Sequence, residues 1–526
     1  MTDELHTLGR WTRDRAVATP DRVAVDDRGV VLTYRELDER ASALAENLLD
    51  RGYGVGDRIA TITGNSADHV VVFFACAKAG LVLVPLSWRL SPRELALQLE
   101  QADPALLLVE DEFTTLSVAT TRRLVQPPVV RSLGGSGIEA DVPHPVRSAR
   151  GQGGFEDPPV RREVRDDDAL LIVFTSGTQG RPHGAILTHG NCFWTNLALS
   201  RTAEITSSDI VLAVMPQYHV GGWNVQPLLA WWVGATVVLE RTFDPGRVLQ
   251  LIQERRITTT MGVPANYLFL SEHPAFATTD LSSLRHAIVG GAPMPEPLLR
   301  TWHSRGVALT QGYGLTEASP NVLCLPDEDA RTKVGLAGKP YPHVEVAVAD
   351  PVTGDELEGE ASGELLVRGP SVFPGYFRDP ELSAVTLRGG WLHTGDLVHR
   401  DAQGYFRVID RISDIYISGG ESISPSEVEN VLSGHPAVAD VAVVGVPDDR
   451  WGEVGVAFVV LRHGVPTDEK DLLDLCRAQL AAFKVPKSVV MLSRLPRSSA
   501  NKVLRRVLVE DYTASGRVDT AAEARP

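Results

Sequence analysis

The sequence predicts an α/β protein: a large N-terminal domain of several parallel α/β layers plus a small β section, and a small α+β C-terminal domain. Three observations carry this expectation. At 526 residues the chain is too long for one ordinary hydrophobic core. Short apolar runs alternate with helical stretches over its first half, the rhythm of helices laid on mostly parallel strands. From about Arg411 that rhythm changes to a compact α+β pattern of its own. We therefore expect an N-terminal domain over 1–410 and a C-terminal domain over 411–526.

Taken in order, Val23–Ala24, Arg58–Ile62, Leu81–Val84 and Ala105–Val109 read as strands. Thr33–Arg51, Asn65–Lys78 and Pro92–Ala102 read as helices between them. The Gly-, Ser-, Pro- and Arg-rich stretch Leu133–Pro159 reads as a loop or linker. Ala169–Phe174 is a buried strand, and strand and helix patterns alternate again from Ala235 to Val289. Val344–Val367 and Gly404–Ile409 form a β-rich section with turns at Thr353–Gly354 and Gln403–Gly404. Beyond it come a helix at Pro425–Ser433, strands at Val438–Val446 and Val454–Arg462, and a helix at Glu469–Leu480. The polar tail after Asp511 is expected to fray.

Composition narrows the function. Apolar residues make up 43% and charged residues 22%, as in soluble globular proteins. A formal net charge of −16 argues against a nucleic-acid partner and against docking on anionic membrane. The polar N-terminus has no apolar signal core, and the most apolar stretch, Val70–Pro85, is short for a span and broken by Lys78 and Gly80. Cys76, Cys192, Cys324 and Cys476 are scattered without metal-site or disulfide spacing, which fits a reduced, cytoplasmic setting. Lysines are few beside arginines, so each retained lysine, Lys502 above all, draws notice.

The first chemical signal follows the strand at 169–174. Thr175, Ser176, Gly177, Thr178, Gln179, Gly180, Arg181, Pro182, His183 and Gly184 form a loop of hydroxyls and glycines. Glycine lets backbone N–H groups converge on an anion, and Ser and Thr add donors. No Gly-Lys-Ser/Thr follows at Walker spacing, so this is not a P-loop of that class. The arrangement closely resembles the phosphate loop of the adenylate-forming superfamily of acyl-CoA synthetases, luciferases and peptide-synthetase adenylation domains. It departs at Gln179, where a second Ser or Thr is usual, and at His183, where Lys is usual.

Further segments resemble the same family, in the family's order. Gln311, Gly312, Tyr313, Gly314, Leu315, Thr316 and Glu317 match its Tyr-Gly-x-Thr-Glu motif. The resemblance implies that Tyr313 stacks on adenine, Thr316 contacts the α-phosphate and Glu317 holds Mg²⁺. A hard divalent cation does favour carboxylate oxygen beside phosphate. Val289, Gly290, Gly291, Ala292 and Pro293 resemble the segment that packs on adenine. The run Trp391 to Asp396 resembles Trp-x-x-Thr-Gly-Asp, which implies that Asp396 accepts from both ribose hydroxyls. Asp410 to Glu421 resembles the interdomain hinge, with the pivot at Asp410 and Ser413, where Lys or Asp is commoner in place of Ser413. There Val408 would flank the nucleotide and Arg411 would bind ribose or phosphate. Ser418, Gly419, Gly420 and Glu421 would line the CoA tunnel. Leu495 to Leu504 resembles the C-terminal lysine loop, making Lys502 the catalytic lysine, with Asn501 in place of the usual Gly.

Met215 to Asn224 resembles the entrance to the acid pocket. His219 would gate it. Val220 stands where amino-acid activators carry Asp, which argues against an amino acid. Val220, Gly221, Trp223, Gly262, Val263, Tyr267, Val289, Gly290 and Leu315 would make a mostly apolar pocket. Trp223 is equally consistent with core packing.

The resemblance spans nearly the whole chain and implies an ATP-dependent acyl-CoA ligase. Such an enzyme uses ATP, Mg²⁺ and CoA to convert a hydrophobic acid (fatty, aryl or polycyclic) to an acyl-adenylate and then a thioester. Its catalytic residues would be Lys502, Thr316, Glu317 and His219. The small domain would rotate between the half-reactions. Alternatives are a stand-alone enzyme loading a carrier protein, or one specialised for a single half-reaction. Monomer and homodimer are both open.

Overall fold

The computed structural model describes residues 6–134, 163–176, 182–292, 294–418, 421–462, 464–498 and 502–514. Most of the stretch read as a linker after Leu133, and the tail beyond 514, lie outside them. So do Gly177, Thr178, Gln179, Gly180, Pro293, Gly419, Gly420 and Asn501. The chain divides into two compact units. One comprises Met1–Met294, Leu298–Val346 and Leu366–His393; the other comprises Pro295–Pro297, Ala347–Leu365 and Thr394–Pro526.

The large unit is built on two sheets. In the six-stranded sheet, Val129–Leu133, Leu106–Glu110, Arg58–Ile62, Val82–Leu86 and Ala169–Ser176 run parallel side by side. Pro182–Thr188 closes its edge antiparallel. The nine-stranded sheet has a parallel centre of Val23–Asp27, Thr236–Leu239, Ile210–Ala213, Thr259–Gly262, His286–Val289 and Leu309–Gly314. Antiparallel strands close both ends.

Local chemistry explains why the helices start where they do. Thr33 and Glu36 form a reciprocal capping box ahead of Tyr34–Asp50. Ser91 and Glu94 do the same ahead of Pro92–Ala102, with Pro92 in the first turn, where its missing N–H costs nothing. Ala67–Ala79 is buried on almost every side and ends on the left-handed Gly80. That explains its apolar run Val70–Ala77, with Asp68 and Lys78 confined to the end turns. Among the described residues no helix is long and apolar enough to cross a membrane.

The small unit carries a β section, in which Val348 and Ala349 pair antiparallel with Leu357 and Glu356 and Asp396–Arg400 pairs antiparallel with Phe406–Arg411, and a second sheet. Its long hairpin, Val438–Asp448 against Gly452–Leu461, alternates its side chains between two cores. Val443, Ala457 and Val459 face helices Pro425–Ser433 and Glu469–Gln479. Ala442, Val444, Val456 and Phe458 face Leu508 and Tyr512 on helix Arg505–Ala514. The Arg505 guanidinium ties this unit internally: it bonds Glu429 Oε1 at 2.5 Å and the Val443 carbonyl at 2.6 Å, and lies 3.3 Å from Asp414. Burial pushes the Asp414 carboxyl above its ordinary range, against the pull of that guanidinium.

Candidate active site

Strands Ala169–Ser176 and Pro182–Thr188 pair antiparallel, with Thr175 opposite His183 and Ser176 opposite Pro182. The glycine-rich segment 177–181 therefore joins the two arms of a hairpin. Thr175 donates its hydroxyl proton to the His183 carbonyl (3.3 Å), which fixes one base of the loop. His183, at the position where lysine was expected, places Nδ1 3.2 Å from Asp379 Oδ2 and its ring beside Tyr376.

The second element is the turn after strand Leu309–Gly314. Tyr313, Leu315, Thr316 and Glu317 are all half-buried there, and Thr316–Ala318 forms a single 3₁₀ turn. A Cβ on Gly314 would stand 1.6 Å from the Pro320 carbonyl oxygen. Only glycine lets these two backbone stretches meet, so the turn that presents Glu317 depends on it. Gly312 opposes Cys324 across the adjoining strand pair. Gly290 continues the end of strand His286–Val289, followed by exposed Gly291, at φ +81°, and Ala292. The Met294 N–H donates to Gln311 Oε1 (3.4 Å), tying this segment to the Tyr-Gly motif.

Glu317 fits a magnesium ion held jointly with phosphate. Its Oε1 accepts from the Tyr376 hydroxyl at 2.8 Å, and Oε2 has no hydrogen-bond partner among the described residues. No cluster of three or more His, Cys, Asp or Glu able to hold a metal occurs among the described residues. Magnesium suits that chemistry, because it commonly takes one or two carboxylates and completes its octahedron with phosphate and water. Tyr376 was not singled out from sequence. The run Phe373, Pro374, Gly375, Tyr376, Phe377 is the signal that marks it: an aromatic cluster on a Pro-Gly turn.

The residues expected around the acid separate into two groups. His219 and Gly221 are half-buried and Val220 is buried, in a turn where Gly222 N–H donates to the His219 carbonyl (3.0 Å). Val263 and Leu315 are half-buried and Gly262 is buried. Trp223, Tyr267 and Val289, by contrast, are packed into the core. Trp223 stacks on Phe73 with centroids 4.6 Å apart and donates Nε1–H to the Gln217 carbonyl. Tyr267 meets Trp302 edge-on at 5.2 Å and donates its hydroxyl to the Ile288 carbonyl at 2.8 Å. Val289 is wholly buried in the same cluster as Tyr267. Full burial of a large ring with its polar atom satisfied is the signature of packing.

In the small unit, Asp396 and Arg411 are directly opposed on strands Leu392–Arg400 and Phe406–Arg411. Arg411 Nε lies 2.6 Å from Asp396 Oδ1; the carboxylate is nearly buried and the guanidinium half exposed. Val408 is half-buried opposite Val398. Asp410 anchors the next helix: its Oδ2 accepts from the Ser424 hydroxyl (2.8 Å) and the Ser426 N–H (3.0 Å). Ser413 is exposed beside Asp414. Ser418 and Glu421 are opposed across the hairpin that 419–420 closes. Lys502 is exposed, and its backbone is fixed by two bonds with Ser498: Ser498 N–H to Lys502 O (2.7 Å) and Lys502 N–H to Ser498 Oγ (3.2 Å).

The model of AMP-binding enzymes matches residues 12–377, and that of the AMP-binding enzyme C-terminal domain matches residues 427–502. The chain belongs to the AMP-binding enzyme family. It is 40% identical to a feruloyl-CoA synthase of an Amycolatopsis species over 499 residues, 95% of this chain and 97% of that protein. It is 37% identical to an indoleacetate–CoA ligase of Aromatoleum aromaticum over 500 residues, 94% of this chain and 96% of that one. Among solved structures, ATP-bound MatB from Rhodopseudomonas palustris superposes with a TM-score of 0.86 at 31% identity, covering 96% of this chain and 99% of that one. This family member is thus an AMP-forming acid–thiol ligase that draws on ATP, magnesium and CoA and activates its acid as the acyl-adenylate.

Proposed function

We propose that this AMP-binding family ligase activates a ring-bearing, otherwise apolar carboxylic acid, an aryl or arylalkanoic acid, and works in the cytoplasm. The observation that carries the reading is Val220, a buried apolar residue beside His219, followed by the small Gly221. No carboxylate stands there to pair with a substrate ammonium, and the glycine leaves width for a flat ring. Relatives named for ferulate and indoleacetate support the choice over an aliphatic acid. In this reading Val220, Gly221, Gly262, Val263, Gly290 and Leu315 bound the acid, and His219 lies toward its carboxylate. Trp223, Tyr267 and Val289 support that wall from behind.

The roles of the remaining residues follow from their chemistry. The loop from Thr175 to Gly180 holds the β- and γ-phosphates through backbone N–H groups and hydroxyls. Tyr313 stacks on adenine beside Gly291, Ala292 and Pro293, and Thr316 donates to the α-phosphate. Glu317 holds the magnesium, which when bound neutralises charge on the phosphates. Asp396 takes the ribose diol, with Arg411 as a charged donor beside it and Val408 as apolar flank. Lys502 places positive charge where negative charge builds as the carboxylate attacks α-phosphorus. Ser418, Gly419, Gly420 and Glu421 serve the thiol step, and Asp410 and Ser413 form the pivot.

The test is a substrate panel. Purified protein with ATP, magnesium and CoA is offered hydroxycinnamic, arylacetic, medium-chain fatty and amino acids, and pyrophosphate, AMP and acyl-CoA are followed by mass spectrometry. Aryl acids should give the highest kcat/KM by at least about tenfold, since one misfitted methylene alone is worth roughly 10–200-fold. A preference for fatty acids overturns the aryl reading. Pyrophosphate release without acyl-CoA for every acid would shift the acceptor to a carrier protein.

A further inference from the structure

The segment from Pro370 to Asp379 is held on two sides. On one side the Phe377 N–H donates to the Gly184 carbonyl (2.7 Å) and the Ile186 N–H to the Gly375 carbonyl (3.1 Å). These bonds fasten it to the strand that leaves the phosphate-loop hairpin. The Asn191 amide donates to the carbonyls of Pro370 and Val372, both at 2.9 Å, from the helix that follows that strand. On the other side the Phe373 N–H donates to the Glu317 carbonyl (2.9 Å) and the Tyr376 hydroxyl to Glu317 Oε1 (2.8 Å). The Tyr376 backbone is fixed in turn, its N–H donating to Ser383 Oγ at 2.8 Å, and its ring meets Phe373 edge-on. The segment thus sets the spacing between the hairpin and the carboxylate, and Tyr376 is the one side chain in it that reaches the carboxylate itself.

We propose that Tyr376 is the positioning residue for Glu317: its hydroxyl fixes Oε1, sets the plane of the carboxylate and leaves Oε2 for the magnesium ion. The proposal rests on the reading that Glu317 holds the metal. A carboxylate on a half-exposed 3₁₀ turn would otherwise sample several rotamers and lose entropy on binding the ion. A neutral phenol suits the task, because it orients the carboxylate by hydrogen bonding without adding a competing positive charge. Partners that orient a ligating group typically change metal affinity by about 10–100-fold when removed.

The experiment titrates Mn²⁺, as a paramagnetic probe of the magnesium site, into the full-length protein saturated with α,β-methylene-ATP and reads free Mn²⁺ by electron paramagnetic resonance. Wild type is compared with Tyr376→Phe, Glu317→Gln and the double variant. Tyr376→Phe should weaken Mn²⁺ by about tenfold and raise the magnesium KM similarly, while the acid KM and Tm stay at wild-type values. Glu317→Gln should weaken Mn²⁺ at least as much, and the double variant should match Glu317→Gln alone, because Tyr376 acts through Glu317. If Glu317→Gln weakens Mn²⁺ and Tyr376→Phe does not, the positioning role is wrong and the metal assignment stands. If neither changes Mn²⁺ affinity, the metal assignment itself is wrong. Additive losses in the double variant, or a parallel fall of Tm and both KM values in Tyr376→Phe, would reduce Tyr376 to a structural residue and overturn the proposal.

Discussion

Arg411 and Asp396 face each other across one antiparallel strand pair, Nε to Oδ1 at 2.6 Å, with the carboxylate nearly buried and the guanidinium half exposed. The two groups assigned to the ribose therefore form a pre-oriented unit. Asp396→Asn keeps the shape and removes the charge, and should weaken ATP binding by about 10–100-fold, the worth of hydrogen bonds to a charged group. Calorimetric titration with α,β-methylene-ATP checks this. Arg411→Met should also cost about 1–3 kcal/mol of stability in denaturant unfolding, because it strips a partner from a buried acceptor. Unchanged nucleotide affinity in both variants would remove the ribose assignment.

Lys502 sits exposed at the end of a loop whose backbone is fixed by Ser498. Its charge is expected to act on the transition state rather than on the fold. Lys502→Ala should cut acid-dependent pyrophosphate release by about 10²–10³-fold with little change in Tm. Acyl transfer from a chemically prepared acyl-adenylate to CoA should be affected far less. Equal losses in both half-reactions would contradict the division of labour.

Gly314 leaves no room for a side chain, since a Cβ would fall 1.6 Å from the Pro320 carbonyl oxygen. Gly314→Ala must push the following turn aside and carry Thr316 and Glu317 with it. Adenylation should fall at least about 10²-fold, as catalysis is sensitive to misplacements of about 1 Å. A parallel change at Gly354, a left-handed turn glycine with open space around it, should leave the rate alone and cost only stability. Comparable activity of Gly314→Ala and wild type would disprove the close approach.

Acid should weaken the large unit through two buried histidines. Burial lowers His69 to about 4 and His189 to about 4, from the ordinary 6.5. Glu110 near His69, and Asp166 and Asp168 near His189, oppose that shift without reversing it. The folded-state values lie below the unfolded ones, so the unfolded chain takes up protons first. Stability is full above about pH 6.5 and falls as pH drops toward 4, by up to about 1.4 kcal/mol per pH unit for each histidine. Urea unfolding between pH 7 and 5 should show this slope, and His189→Gln should reduce it. A flat profile would mean that the imidazoles are not held neutral.

Much of the fold was legible because its signals are local. Arg58–Ile62, Pro92–Ala102 and Pro425–Ser433 fall where the sequence placed them. Capping boxes, a first-turn proline and a glycine stop lie within a few residues of the ends they define. The chemistry-bearing turn around Tyr313 and Glu317 was legible through its motif. What escaped depends on contacts far apart in sequence. Nothing near Glu317 announces a hydroxyl 59 residues on. His183 was read as the loss of a lysine, whereas its ring faces Asp379, a pairing that exists only after the hairpin and the later segment meet. Trp223, Tyr267 and Val289 carry the apolar character expected of a pocket, but apolar character alone does not distinguish a wall from the packing behind it.

Strand Val23–Asp27 finds its parallel partner only at Thr236–Leu239, with Val25 opposite Val237. During synthesis the early strand must wait for roughly 200 residues to emerge, some 10–40 s at about 5–20 residues per second. Throughout that interval the edge of Val23–Asp27 that later pairs with Thr236–Leu239 has no strand beside it, and the two-stranded hairpin it makes with Val30–Thr33 is by itself at best marginally stable in water. The nascent chain is thus expected to need protection of that edge over the window, and its yield in a heterologous host should respond to how fast codons 30–240 are read.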